Sequence, residues 1–281
     1  MKLYRTFVQP YLFWMSIFIV VPMLLIVFYA FTTSGNDIIS FRFTLDNFLK
    51  FSEPIFLRVL LRSLSIAMLT TLISIVLGYP VAYLISQTSE RVQTFLILLI
   101  TIPMWINMLV RTYAWIGILS ENGLINSFMT WLGLPTLNLM YTDFAVILGM
   151  VYNFLPFMIL SIYTVLAKLD KALIQASYDL GANKTQTFLK VVLPLSVPGI
   201  ISGITLVFLP AVSTFVIPRF LGGGNFVLIG NLIETQFITV GEWNFGSAIS
   251  MIMASVIMLT MFITKRFDQD IEEIQTRKEV G

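Results

Sequence analysis

Long apolar runs alternate with polar breaks along the whole chain. A helix crossing a bilayer needs about 20 mostly apolar residues. Six stretches meet that length, at roughly residues 11–31, 64–85, 95–118, 144–166, 191–217 and 245–264. No series of short alternating segments appears, as a membrane β-barrel would require. The first run exceeds a signal-peptide core and lacks a small-x-small cleavage site, so it reads as a retained helix. The breaks differ in kind. Residues 86–94 and 167–190 are short and polar, whereas 32–63, 119–143 and 218–244 are longer and mixed. Within 32–63, Asp46, Asn47, Phe48, Leu49, Phe51, Ile55, Phe56 and Val59 to Leu61 predict a short amphipathic helix lying at an interface.

Basic residues near the helix ends set the expected orientation. With the N-terminus inside, the cytoplasmic side holds Lys2, Arg5, Arg91, Lys168, Lys171, Lys184, Lys190, Lys265, Arg266, Arg277 and Lys278. The outer side holds Arg42, Lys50, Arg58, Arg62, Arg111 and Arg219. The larger set predicts both termini inside. Residues 1–264 then form one transmembrane domain, and 265–281 form a polar cytoplasmic tail. Composition agrees with a membrane protein: 57% hydrophobic, 11% charged and a mean hydropathy of +0.89, where soluble domains are about one quarter charged. The net charge of +2 adds little. The chain has neither cysteine nor histidine. That excludes disulfides, thiol catalysis, Cys-ligated metals, Ser-His triads, HExxH zinc sites and His-ligated haem.

The break at 167–190 is the most specific segment. Leu169, Leu173, Ala176 and Leu180 recur at helical spacing over 168–180. Gly181 follows where a C-terminal cap belongs. A second short helix is expected over 185–192, ending at Pro194. The result is a helix–turn–helix elbow, with Ala176 and Ser177 small enough to admit another protein surface. No Walker A sequence occurs: Gly222, Gly223 and Gly224 lack a following Lys, and Gly181 to Thr185 has the wrong spacing.

The sequence QASYDLGANKTQTFLKVVLP (175–194) resembles the signature of bacterial ABC importer permeases, E-A-A-x3-G-x9-I-x-L-P. Gln175 stands for the Glu, Ser177 for the second Ala and Val191 for the Ile. Further stretches, FTLDNF (43–48), IPMWINMLVRTY (102–113), 179–203 and LPAVSTFVIPRFLGGGNFVLIGN (209–231), are similar to the B-type permease subunit of spermidine/putrescine importers. The resemblance covers nearly the whole chain. It implies an all-α integral membrane fold of the ABC importer (MetI-like) type. Six transmembrane helices, both termini cytoplasmic and a cytoplasmic coupling helix between helices 4 and 5 belong to that fold. It also implies coupling residues Gln175, Ala176, Ser177, Asp179, Gly181, Ala182, Leu193 and Pro194. The implied partners are an ATPase dimer that binds ATP and Mg2+, a second and different permease, an extracytoplasmic polyamine-binding protein, a polyamine substrate and membrane lipid. No cofactor or metal in this chain, no catalysis by it and no nucleic acid are expected.

Polar groups inside a membrane face protein or water, which singles out Asn107 and Asn153. Packing between helices is their alternative role. Trp105 and Tyr113 lie near Asn107, and Trp115 and Tyr152 are weaker candidates. Each is either an interfacial anchor or an aromatic face for an ammonium group. Acids beside the spans are Asp37, Asp46, Glu53, Glu121, Asp143, Glu234 and Glu242. Asp143, at the mouth of the fourth run, is the first choice. No acid falls inside a predicted span, so the partner permease is expected to carry the main cation-binding carboxylates. Pro194, Pro198, Pro210 and Pro218 punctuate the fifth run, and Gly199 with Gly203 gives a close-packing face. Carbonyls freed over 208–214 either face a pathway or mark a static kink. Gly222 to Gly224 read as a hinge or tight turn. An ABC importer of another small solute is the nearest alternative. A secondary transporter would show midplane ionisable groups or two similar halves, and neither is visible.

Overall fold

The computed structural model describes residues 2–33, 42–224 and 226–280, with side chains described over 8–33, 42–224 and 226–266. Asp37 and the side chains of Lys2, Arg5, Arg277 and Lys278 lie outside the described residues. In chain order the helices are α1 (Val8–Ala30), α2 (Asp46–Phe51), α3 (Pro54–Ser86), α4 (Glu90–Trp105), α5 (Met108–Leu119), α6 (Leu124–Trp131), α7 (Asp143–Leu166), α8 (Lys171–Asp179), α9 (Lys184–Ser213), α10 (Val216–Leu221), α11 (Ile229–Glu234) and α12 (Trp243–Val280). Apolar side chains such as Phe18, Leu24, Leu72, Val76, Leu99, Leu259 and Phe262 stand exposed on the long helices. A protein surrounded by water does not leave such continuous apolar surface open; lipid tails tolerate it.

Several expectations change in detail. The third run is not straight. α4 and the helix after it meet at a bend of 91°, because Pro103 and the extended Ile106 and Asn107 interrupt the ladder. The expected interfacial helix shrinks to α2, and Ile55 to Leu61 instead form the first turns of α3, which opens with Pro54. The fifth run starts earlier, at Lys184, because the short helix expected over 185–192 does not end at Pro194 but continues into that run. A π turn at Phe188–Val192 precedes Pro194; its wider ring makes room for a residue that cannot donate to the ladder. Pro22 in α1 follows the π turn Ser16–Val20 at the same offset. The run then breaks at Thr214, whose backbone is extended. The Leu209 carbonyl accepts from Ser213 Oγ (3.1 Å) and the Pro210 carbonyl from the Thr214 N–H (2.9 Å), so both are at least partly satisfied locally. α12 continues unbroken past residue 264.

The chain forms two compact units. One comprises 1–61 and 229–258; the other comprises 62–228 and 259–281. In the first, the end of α1 is tied down by two amides. Asn47 Nδ2 donates to the Ala30 and Thr32 carbonyls (3.0 Å each), and Asn244 Nδ2 donates to those of Tyr29 (3.0 Å) and Thr32 (2.8 Å). Two of these carbonyls, those of Tyr29 and Ala30, close the last helical turn and that of Thr32 follows it, where helical donors run out. Phe56 and Phe245 pack edge to face at 4.9 Å. Lys50 bonds Glu242 at 2.7 Å and lies over the Phe245 ring.

In the second unit α7 is the central helix. α9 lies against it along Gly199 and Gly203, the small-residue face expected from sequence. A Cβ at 199 would sit 3.0 Å from the Ser161 carbonyl oxygen and 3.1 Å from Ile162 Cα. Gly149 of α7 admits Leu221 and Ile217 of α10, and Gly78 of α3 admits Met158. Such close backbone approach is how helices associate where no hydrophobic driving force exists. Buried Tyr79 and Ser196 share a 2.8 Å hydrogen bond between α3 and α9.

Candidate functional site

The elbow is built from local signals, each of which closes one end of a helix. α8 starts at Lys171, later than the apolar stripe suggests, because Asp170 caps it by accepting the Ala172 N–H at 2.8 Å. At the other end the Gly181 N–H donates to the Tyr178 carbonyl (2.9 Å) and the Ala182 N–H to the Ser177 carbonyl (3.0 Å). That pair of bonds is a Schellman motif, which requires a left-handed residue; Gly181 has φ +83°. Asn183 and Gln186 then form a reciprocal capping box that starts α9. Ser177 Oγ lies 2.8 Å from the buried Thr187 Oγ1 and donates to the Ile174 carbonyl. A hydroxyl at 177 therefore ties the two arms together, which the Ala of the signature could not do.

No residue of α8 is buried. Leu180 is 88% exposed, and Leu173, Tyr178 and Leu189 are also open. Gln175, Ala176 and Asp179 are exposed and Ala182 is half-buried. Leu193 and Pro194 lie beyond the π turn, on α9. Six of the eight, Gln175, Ala176, Ser177, Asp179, Gly181 and Ala182, thus lie together on the elbow, beside the exposed apolar side chains of Leu173, Tyr178 and Leu180.

The expected pathway residues are not gathered into one site. Trp105 and Asn107 flank the bend. Asn107 caps α5 by accepting the Leu109 N–H at 2.8 Å, so it has a structural duty. Trp105 is 86% exposed and lines an apolar groove of ≈ 570 Å3 with Leu98, Thr101 and Tyr163. Tyr113 packs on Phe220 at 5.1 Å. Trp115 and Tyr152 meet edge to face at 5.4 Å. Asn153 is buried; its amide donates to the Gly149 carbonyl (2.8 Å) while Oδ1 has no partner among the described residues. Asp143 is paired with Arg62 at 2.8 Å, and Arg62 also covers the Phe226 ring. Both partners of that pair are largely exposed. Asp143→Asn is therefore expected to cost less than ~1 kcal/mol, seen as an unchanged thermal midpoint of the solubilised protein.

Sequence reading passed over two residues. Asn126 is buried and makes three hydrogen bonds across the 119–143 connection; a lone Asn in an apolar stretch was the available signal. Tyr141 has φ 63°, which nothing in its residue type foretells.

The helical architecture and the capped elbow define a membrane permease of the ABC importer class. The family described as binding-protein-dependent transport system inner membrane component matches residues 74–273, and the chain belongs to that family. It is a multi-pass inner-membrane protein with the MetI-like fold. The spermidine/putrescine transport system permease protein PotB of Escherichia coli is 40% identical over 253 residues, covering 89% of this chain and 92% of its own. The Haemophilus influenzae protein of the same description is 36% identical, covering 90% of each. Among solved structures, a bacterial ABC transporter involved in alginate import superposes with a TM-score of 0.80 at 17% identity, over 96% of both chains. The MetNI methionine transporter gives 0.57 at 18% identity, over 78% of this chain and 99% of that one.

Proposed function

We propose that this chain is one transmembrane subunit of an ATP-driven importer of linear polyamines, spermidine and putrescine. The near full-length likeness to PotB supports the substrate class. The observation that carries the coupling role is the elbow, a helix capped at both ends with no fully buried residue of its own. In this reading α4 and α5 make one broken span, giving six, and both termini lie in the cytoplasm. The elbow docks into a separate ATPase dimer, which holds ATP and Mg2+ and does all the hydrolysis. This chain is non-catalytic and needs no cofactor of its own. A second, different permease completes the pathway, and an extracytoplasmic binding protein delivers the substrate. Closure of the ATPase dimer pushes the elbow, and the rigid α7–α9 pair transmits the movement as alternating access.

Uptake of labelled putrescine and spermidine by cells lacking this chain tests the reading. Supplying the chain is expected to restore saturable uptake, with each polyamine competing against the other. No restoration, with the partner subunits present, contradicts it.

A further inference from the structure

The stretch from residue 112 to 167 contains two acids, Glu121 and Asp143, and no Lys or Arg. Arg62 neutralises Asp143. Glu121 has no ion pair or hydrogen bond among the described residues, and it sits at the edge of a cavity of ≈ 330 Å3. Ser120, Asn122, Asn138 and Tyr141 line the same cavity, with the apolar Ile116 and Met140.

The cavity is built rather than incidental. One wall is a tight turn in which the Gly123 N–H donates to the Ser120 carbonyl at 2.9 Å, with Glu121 and Asn122 at its tip. A Cβ at 123 would lie 2.6 Å from the Ile118 carbonyl oxygen, so the turn folds hard against the end of α5. Asn126 fixes this wall to the other. Its amide donates to the carbonyls of Ser120 (3.2 Å) and Leu137 (3.0 Å), and its oxygen accepts the Leu137 N–H (2.7 Å). Tyr141 closes the second wall. Its left-handed backbone is disfavoured for a bulky residue, yet it is held there by its N–H donating to the Leu221 carbonyl at 2.9 Å. Its ring lies against Gly223, where a Cβ would come within 2.8 Å of Tyr141 Cδ1. The residue is nevertheless 67% exposed. A strained backbone that keeps an aromatic ring open at a cavity points to use of the ring rather than to packing.

We infer that this cavity receives one ammonium end of the polyamine, with the Glu121 carboxylate as counter-charge and the Tyr141 ring as its face. The inference rests on the polyamine-import reading. The lining offers a carboxylate, amide and hydroxyl oxygens and an aromatic ring, all of which attract an ammonium. The apolar side chains suit its methylenes. A single carboxylate is too little for a hard metal ion. The basic Arg219 lines a separate cavity that shares Tyr141 and Ile116, so the cavity beside Glu121 is the one with a carboxylate and no basic side chain in its lining. Tyr141 precedes α7 and the elbow follows it. At 1.5 Å per residue that helix is roughly 36 Å long, about the thickness of a bilayer core. The cavity therefore opens on the face opposite the ATPase, where substrate arrives.

The test uses the assembled transporter in cells without their own copy of this chain. Wild type must first carry labelled polyamine; if it does not, the import reading itself fails. Given that uptake, Glu121→Gln and Tyr141→Asn are each expected to lower it about 5- to 10-fold at low substrate, through KM rather than maximal rate. Asn tolerates the left-handed backbone, so that variant removes the ring without adding strain. Tyr141→Phe, which keeps the face, is expected to retain more uptake than Tyr141→Asn, and Glu53→Gln, outside the cavity, to match wild type. An unchanged KM in Glu121→Gln and Tyr141→Asn overturns the inference. So does a loss that merely follows membrane abundance, or one matched by loss of ATPase stimulation by the binding protein, which assigns these residues to folding or to docking.

Discussion

Gly181→Val is expected to remove most polyamine uptake while leaving the protein in the membrane at its normal level. Gly181 holds φ +83° in the Schellman turn between α8 and α9. A β-branched residue in left-handed conformation costs at least ~1–2 kcal/mol, enough to favour another turn geometry and re-aim α8. A Cβ at this position meets nothing within 4 Å, so no packed core is disturbed and the damage stays in the elbow. Uptake, ATP hydrolysis by the complex and membrane abundance should be measured together. The expected pattern is normal abundance, continued hydrolysis and an uptake loss of tenfold or more, on the order of the factor 1.4 kcal/mol represents. Gly181→Asn should be milder, because Asn enters the left-handed region more readily. Wild-type uptake in Gly181→Val would remove the elbow from the mechanism.

Gly199→Val should fail in the opposite way, by loss of the folded protein. Here a Cβ would lie 3.0 Å from both the Ser161 carbonyl oxygen and Val165 Cγ2, and 3.1 Å from Ile162 Cα. Two of those three contacts are backbone atoms of α7, which cannot turn aside as a side chain can. Overpacking of this kind costs ~1–3 kcal/mol or more, at the interface between the two helices proposed to move together. Abundance in the membrane and the thermal midpoint of solubilised protein should both fall, and uptake should fall with them. Gly203→Ala offers an internal comparison. Its nearest neighbour is Met158 Sδ at 2.5 Å, the end of a flexible side chain that can shift, so the loss should be smaller. A Gly199→Val protein of normal abundance and stability would mean that α7 and α9 are less tightly apposed than described.

The features that sequence revealed best are those with strictly local causes. Gly181 after a helical stripe, the Gly199–Gly203 pair and the apolar runs each depend on neighbours a few residues away, and each appears where its chemistry placed it. Departures came where competing local effects decide an outcome. Pro194 ends a helix by the simplest rule, but the π turn before it lets α9 continue. Asn107, read as facing either a pathway or a neighbouring helix, also caps the helix after the bend. Asp143, the first choice among the acids, pairs with Arg62, 81 residues away in sequence. Tyr141 gave no sign at all, because its backbone is fixed by the Leu221 carbonyl and by Gly223. Contacts of that range have no trace in the pattern of a single chain.

A single engineered thiol tests the central claim most directly, since the chain has no cysteine of its own. Leu180→Cys puts that thiol at the most exposed apolar position of the elbow. In membranes containing the assembled transporter, a short thiol-to-thiol or thiol-to-amine crosslinker should join it to the ATPase subunit, with a yield that changes when ATP is added. If the same thiol is instead labelled in intact cells by a reagent that cannot cross the inner membrane, and joins no ATPase, the elbow faces the wrong compartment and the mechanism is contradicted.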